Sequence, residues 1–167
     1  MAEKDTLFSS KVKYSGVFSF SEFYQFAYDW LDQETGVGIS EDKYAEKLKG
    51  NSKDIDVEWT GTRKATDYFK FEIKVKIKIV GLTNVEIEQN GTKIKTNKGS
   101  AEISVKGTLI RDYQGKFETN AFQKFLRSIY EKWVITSRIE QYEDKLIGDC
   151  NEFLSQTKAY LDLEGKK

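Results

Sequence analysis

The chain has 167 residues, lacks proline and histidine, and contains Cys150 as its single cysteine. Its 27 basic and 27 acidic residues give a formal net charge of zero. Without histidine, neither a Ser-His-Asp nor a Cys-His relay can be built, and no imidazole can bind a metal. A single cysteine also excludes an intramolecular disulfide and a cysteine-rich zinc or iron–sulfur site. We therefore expect no catalytic residues, no metal site and no cofactor, and we favour a binding domain over an enzyme, although a Mg²⁺ or Ca²⁺ site built from carboxylates alone is left open.

The charges are segregated along the chain. Residues 1–60 carry a net charge of −5, whereas residues 61–111 carry +6. A neutral whole argues against a dedicated nucleic-acid binder, although the basic middle third leaves nucleic acid open as a partner. The first five residues lack the apolar stretch of a signal peptide, and no apolar run approaches the ~18 residues of a transmembrane helix. We expect a soluble, cytoplasmic protein with no transmembrane segment.

The N-terminal part of the chain predicts a strand and then a helix. Residues 1–10 are expected to form a flexible N-terminus, and residues 11–20 alternate in the manner of a strand. Ser21 is suited to an N-cap, and apolar residues spaced by threes and fours between positions 23 and 31 form one helical face.

A second short helix is predicted over 41–49. Ser40 is a suitable N-cap, and Tyr44 and Leu48 would share a face of that helix. The first strand would thus be followed by two short helices.

The middle of the chain predicts strands. Residues 69–79 alternate apolar and charged side chains over eleven positions, which is typical of a half-buried strand. Residues 55–59 alternate in the same way, and Gly81 predicts a bend or bulge before another strand over 85–89.

Two tight turns are predicted next. Asn90 and Gly91 form a type I′ hairpin signal that would place Ile87 opposite Ile94. A second turn is expected at 98–99, followed by a long final strand over 101–113.

A long C-terminal helix is predicted to begin at Asn120 and to break near Gly148 or project beyond the sheet, with 149–167 as the projecting part. The prediction for 1–167 is therefore a single α+β domain. A curved antiparallel sheet of about six strands would pack on the C-terminal helix.

This order resembles the helix-grip fold of the START and Bet v 1-like superfamily. The resemblance is one of topology and covers nearly the whole chain. It implies an apolar ligand held between the sheet and the last helix. The segments Tyr28 to Leu31 and Asp67 to Ile77 are also similar to stretches of small archaeal proteins with no assigned function.

An apolar cavity between sheet and helix is the first candidate site, for a hydrophobic small molecule or a lipid. The alternative is that the same side chains simply fill the core. The sheet would contribute Tyr14, Phe18, Phe69, Phe71, Ile73, Val75, Ile103, Val105, Gly107 and Leu109, and the helix Phe122, Leu126, Ile129 and Trp133.

A lysine-rich strand face is the second candidate, formed by Lys70, Lys74, Lys76 and Lys78. It could bind RNA or an anionic lipid surface, or serve as a solvated outer face that discourages sheet aggregation. The aromatic residues at 69 and 71 would point the other way, so stacking on RNA bases is not expected.

The C-terminal stripe of apolar positions over 139–161 is the third candidate, as a surface for a protein partner or a homodimer. Its alternative is packing on the protein's own core. The alternating carboxylates at 54, 56 and 58 would lie on an outward strand face, which is a poor place for acid–base catalysis.

Overall fold

The computed structural model describes residues 3–66, 68–111, 121–129 and 136–165. Five strands form one open antiparallel sheet of order β1-β5-β4-β3-β2, which packs against the C-terminal helix. The elements are β1 (Glu3–Phe18), α1 (Phe20–Thr35), β2 (Gly38–Lys49), β3 (Ser52–Lys64), β4 (Phe69–Gln89), β5 (Thr92–Arg111), α2 (Ala121–Ile129) and α3 (Thr136–Gly165). The predicted α+β class is confirmed. Within the described residues, no helix combines the length and the apolarity needed to cross a bilayer.

The hairpin between β4 and β5 follows the predicted register. Ile87 pairs with Ile94 and Glu88 with Lys93. Asn90 and Gly91 have positive φ angles of 52° and 78°, as a type I′ turn requires. Local turn chemistry and cross-strand pairing therefore agree.

The predicted turn at 98–99 is wrong. Two pairs of predicted strands are each one strand, β4 and β5, and the unpredicted β2 is added, so the predicted six strands become five. Residues 92–111 form one continuous strand. Gly99 lies opposite a bulge in β4, where two residues, Gly81 and Leu82, face one residue of β5. A Cβ at Gly99 would come within 3.1 Å of the Leu82 Cα, so a glycine is needed where the backbones approach closely, not where the chain turns.

The short helix predicted over 41–49 is also wrong, because this segment is the edge strand β2. Gly36 ends α1 with a φ of 73°, and Gly50 turns the chain from β2 into β3 with a φ of 63°. Between these glycines, Gly38 to Lys49 pair with β3, apart from a register shift between Glu41 and Lys43. Strand pairing overrides the local helical spacing of Tyr44 and Leu48, whose side chains remain exposed.

The N-terminal boundaries differ by a few residues from the prediction. Residues 3–10, expected to be flexible, belong to β1 and pair with β5. Helix α1 begins at Phe20 with Ser19 as its N-cap, two residues before the predicted cap at Ser21. The earlier start buries Phe20 itself.

Helix α3 passes through Gly148 without a break. Its 30 residues span about 45 Å at 1.5 Å per residue. Residues 149–165, expected to project, pack on the sheet, since Cys150, Phe153 and Leu161 are fully buried.

Candidate anion-binding site on the outer face of the sheet

The inner face of the sheet holds most of the residues predicted to line a cavity. All the sheet members of that set except Tyr14, which is half-buried, are buried: Phe18, Phe69, Phe71, Ile73, Val75, Ile103, Val105, Gly107 and Leu109. All of them except Gly107 form one cluster with the apolar side chains of α1 and α3. The ring of Tyr142 lies 5.0 Å from that of Phe69, and Phe153 from α3 meets Trp30 from α1 at 5.8 Å. Side chains of the protein itself therefore occupy this part of the interior.

The helical half of the predicted cavity set is placed differently. Leu126 and Ile129 lie on α2 and are exposed. The side chain of Phe122 and all of Trp133 lie outside the described residues. The helix that covers the described sheet is α3. Binding of an apolar molecule between the sheet and the C-terminal helix stays a prediction.

The C-terminal stripe faces the protein's own core. Leu146, Cys150, Phe153, Leu154 and Leu161 are all buried beneath the helix. Tyr160 stacks on Phe26 of α1 with ring centroids 4.4 Å apart. The side chains expected to attract a partner are therefore already used within the chain.

The outer face of the sheet carries the lysines predicted from the alternating pattern of β4. Lys74, Lys76 and Lys78 are exposed, and Lys70 is half-buried. Each alternates with an inward-pointing residue of the core. The strand register then shows which charges lie beside each lysine on the neighbouring strands.

In two rows across the sheet, the lysine of β4 lies opposite a carboxylate. Lys78 lies between Asp56 of β3 and Glu102 of β5. Lys76 lies opposite Glu58, with 3.6 Å between the ammonium nitrogen and the nearest carboxylate oxygen. These carboxylates reduce the positive potential over this end of the lysine face.

The next row is different. Lys74 of β4 pairs directly with Lys106 of β5, and the row continues to Thr60 on one side and Ser9 on the other. Lys74 lies 3.8 Å from Glu72 of its own strand. Within the described residues, Lys106 has no ion pair. Like charges directly opposite each other destabilise a sheet, so the fold itself does not favour this arrangement.

A shallow groove of about 370 Å³ lies over this row. The groove is lined by Lys74, Lys76 and Lys106 together with the carboxylates of Asp42 and Glu58. The Ser104 hydroxyl adds a donor, whereas the Thr60 hydroxyl already donates to Asp42. Ammonium and hydroxyl groups are the donors that bind a carboxylate or phosphate. The row around Lys74 and Lys106, which we call the lysine row, can therefore hold an anionic group.

An apolar strip continues the same face beyond the bulge. The extra residue at Gly81–Leu82 reverses the side-chain alternation of β4, so that Val85 and Ile87 share a face with Val80. Ile87 pairs with Ile94, which is 38% exposed, and Val80 is 45% exposed. The charged pairs of this arm point to the opposite face, where Asn97 accepts a hydrogen bond from the Phe20 amide at the start of α1. Sequence alternation alone could not reveal this reversal.

An aromatic cluster that the sequence did not reveal ties α1 to the edge of the sheet. Glu41 accepts hydrogen bonds from the hydroxyl of Tyr24 and from the indole nitrogen of Trp59, the latter at 3.1 Å. The Tyr24 and Trp59 rings meet edge to face at 5.3 Å. Burial, followed by the contact with Glu41, raises the pKa of Tyr24 to about 12. The phenol therefore stays protonated at neutral pH and keeps donating to Glu41.

Across the described ranges, no group of three acidic or cysteine side chains is placed to hold a metal ion. No protein-family model matches the chain, and no match is found among curated proteins.

Proposed function

We propose that this protein is a non-catalytic interaction module whose outer sheet face binds an acidic segment of a partner protein. The observation that carries the proposal is the direct pairing of Lys74 with Lys106 in the floor of the groove. Two cations that face each other cost stability in the free protein. An anionic group between them would remove that cost, so binding and relief of repulsion would act together.

The composition of the outer face favours a protein over a nucleic acid. The outward-pointing residues of β3 to β5 between the lysine row and the bulge include no aromatic side chain for stacking bases. They also include the carboxylates of Asp56, Glu58 and Glu102, which would repel a continuous phosphate backbone. A protein segment with its own mixed charges can match such a surface.

The apolar strip would complete the interface. Protein interfaces combine apolar contacts with polar groups around them. Val80 and Ile94 supply exposed apolar area on the face that carries the lysine row. We infer that a partner segment lies along β4, with its acidic residues at the lysine row and apolar residues over the strip.

The cellular location and the fold relationship that we propose are those expected from the sequence. A module of this kind would work in the cytoplasm, and the relationship to the helix-grip superfamily remains part of the proposal. The sheet wrapped against α3 then serves as a rigid support for the outer face.

The test uses a fluorescent oligoglutamate peptide as the probe and fluorescence anisotropy as the readout. Combining Lys74→Glu with Lys106→Glu should weaken binding by at least about tenfold, because two favourable ion pairs become repulsive. The control combines Lys47→Glu with Lys145→Glu, two exposed lysines outside the row and the apolar strip. It changes the net charge by the same amount and should leave affinity within about twofold.

Three results would contradict the proposal. The peptide could fail to bind the unaltered protein at low salt, or both double variants could lose affinity equally, which would show a general charge effect. Tighter binding of an oligouridylate than of the peptide would assign the face to nucleic acid instead.

A further inference from the structure

Helix α2 is exposed on every side that the structure describes. Phe125 is 59% exposed, Leu126 38% and Ile129 37%. Lys124 and Ser128 are exposed as well. The sequence predicted that Leu126 and Ile129 would face the sheet, but their side chains reach solvent. Large apolar side chains grouped on one exposed helix mark an interaction surface.

The order of residues in α2 separates apolar from basic positions. At 100° per residue, positions 122, 125, 126 and 129 fall on one side of the helix and are all apolar. Lys124 and Arg127 fall on the opposite side, and residues 121–129 include no acidic residue. The helix is therefore apolar on one side, and all of its charged residues are basic.

A binding partner of such a helix must offer both an apolar layer and negative charge. A second copy of α2 could cover Phe125 but would bring further positive charge close by. An anionic bilayer offers an apolar layer beneath a sheet of negative headgroups, and helices rich in Phe, Leu, Lys and Arg lie in that boundary.

We propose that α2 binds the surface of an anionic lipid bilayer. Phe125, Leu126 and Ile129 enter the boundary between headgroups and acyl chains, while Lys124 stays with the headgroups. The helix has nine residues and lies on the bilayer. Three apolar side chains and a few charges give reversible, salt-sensitive attachment.

Co-sedimentation of the full chain with vesicles tests this proposal. The probes are vesicles of phosphatidylcholine alone and vesicles that also contain phosphatidylglycerol. The protein should sediment with the anionic vesicles, remain in solution with the neutral ones, and detach when salt is raised. Phe125→Ser and Lys124→Glu should each lower the bound fraction at least about threefold, since each removes one of the two attractions.

Leu48→Ser is the matched control, because Leu48 is an exposed apolar residue of the sheet. It should leave vesicle binding unchanged. The melting temperature of each variant shows whether the substitution destabilises the fold or affects vesicle binding alone. If Phe125→Ser lowers the melting temperature by many degrees, Phe125 packs against the protein's own core and the proposal is wrong.

Variants of the lysine row distinguish α2 from the outer sheet face as the surface that binds vesicles. Combining Lys74→Glu with Lys106→Glu should leave vesicle binding intact. If that pair abolishes sedimentation while Phe125→Ser does not, the outer sheet face binds the vesicles and the assignment to α2 fails. Sedimentation with neither vesicle would equally overturn it.

Discussion

Gly107 of β5 lies directly beneath Cys150 of α3: a Cβ at Gly107 would come within 2.7 Å of the Cys150 Sγ. The same Cβ would lie 3.4 Å from Leu146 and 3.5 Å from Phe8. Both residues of this contact are buried. The absence of a side chain at Gly107 thus lets α3 approach the sheet closely, and the thiol fills the space above it.

Gly107→Ala should lower the free energy of unfolding by about 1–3 kcal/mol, because the added methyl group overpacks the contact with Cys150. Urea titration measures the change. Gly148→Ala is the control, since Gly148 lies in the same helix with no atom near its Cβ position. It should be neutral or stabilising by up to about 1 kcal/mol.

A double variant sharpens this prediction. Combining Gly107→Ala with Cys150→Ala should restore part of the lost stability, because the smaller side chain makes room for the new methyl group. Strictly additive effects of the two substitutions would contradict the contact.

The Cys150 thiol should be unreactive in the folded protein. Burial, with a smaller contribution from Asp149, raises the pKa of Cys150 to about 12. The reactive thiolate is therefore suppressed at pH 8, and the side chain has no exposed surface. Ellman's reagent should react only after unfolding in guanidinium chloride. A fast reaction with the native protein would show that α3 opens readily.

The same raised pKa gives a pH dependence. In the unfolded chain the thiol ionises near its ordinary value of 9.0. Because folding keeps the thiol protonated, the stability contribution is complete below pH 9 and is lost as the pH rises towards 12. Cys150→Ala should remove this component from a plot of stability against pH.

Asp54 should stabilise the bulge in β4. Its carboxylate accepts a hydrogen bond from the Gly81 amide at 3.0 Å and forms an ion pair with Lys49 at 2.8 Å. Lys49 first, and then the Gly81 amide, hold the pKa of Asp54 below its ordinary value. Asp54→Asn should lower the melting temperature at neutral pH, because the ion pair is lost.

The sign of the pH effect follows from that lowered pKa. The stabilisation by Asp54 is present above the unfolded value of 3.8 and disappears as the pH falls below it. The difference in melting temperature between Asp54→Asn and the unaltered protein should therefore vanish in strong acid. Asp56→Asn is a control, since the ion pair of Asp56 within the described residues, with Lys43, is longer at 3.9 Å.

Lys106→Glu should stabilise the fold while weakening binding of the oligoglutamate peptide. The substitution converts the repulsive pair with Lys74 into an attractive one, worth roughly 0.2–1 kcal/mol. Thermal unfolding measures the gain. A loss of stability would show that the pairing of Lys74 with Lys106 is favoured by the fold, and the argument from repulsion would fail. Lys106→Gln should give an intermediate result.

Local patterns predicted the centre of the sheet well. The alternation over 69–79 and the turn at Asn90–Gly91 fix β4 and its hairpin without reference to the rest of the chain. The lysines of the outer face follow from the same alternation. Alternation does not predict which of these lysines has a carboxylate beside it, because that depends on which residues of β3 and β5 lie alongside.

The errors arose where distant contacts override local spacing. Tyr44 and Leu48 have helical spacing, but the pairing of β2 with β3 decides their conformation. Gly99 resembled a turn because its true partner, the bulge at Gly81, lies on another strand. The cluster of Tyr24, Glu41 and Trp59 joins α1, β2 and β3, and the sequence of no single element predicts it.

The sheet order has a consequence for how the chain assembles. Strand β1 is the first to be synthesised, yet its only strand partner within the described residues is β5, with pairs that run from Phe18↔Asn97 to Glu3↔Arg111. Strands β2 to β5 can pair as successive hairpins while the chain emerges, but β1 must wait until its partner has left the ribosome. Such non-local pairing slows folding. A ribosome-bound chain that stops before β5 would therefore leave β1 without its partner strand.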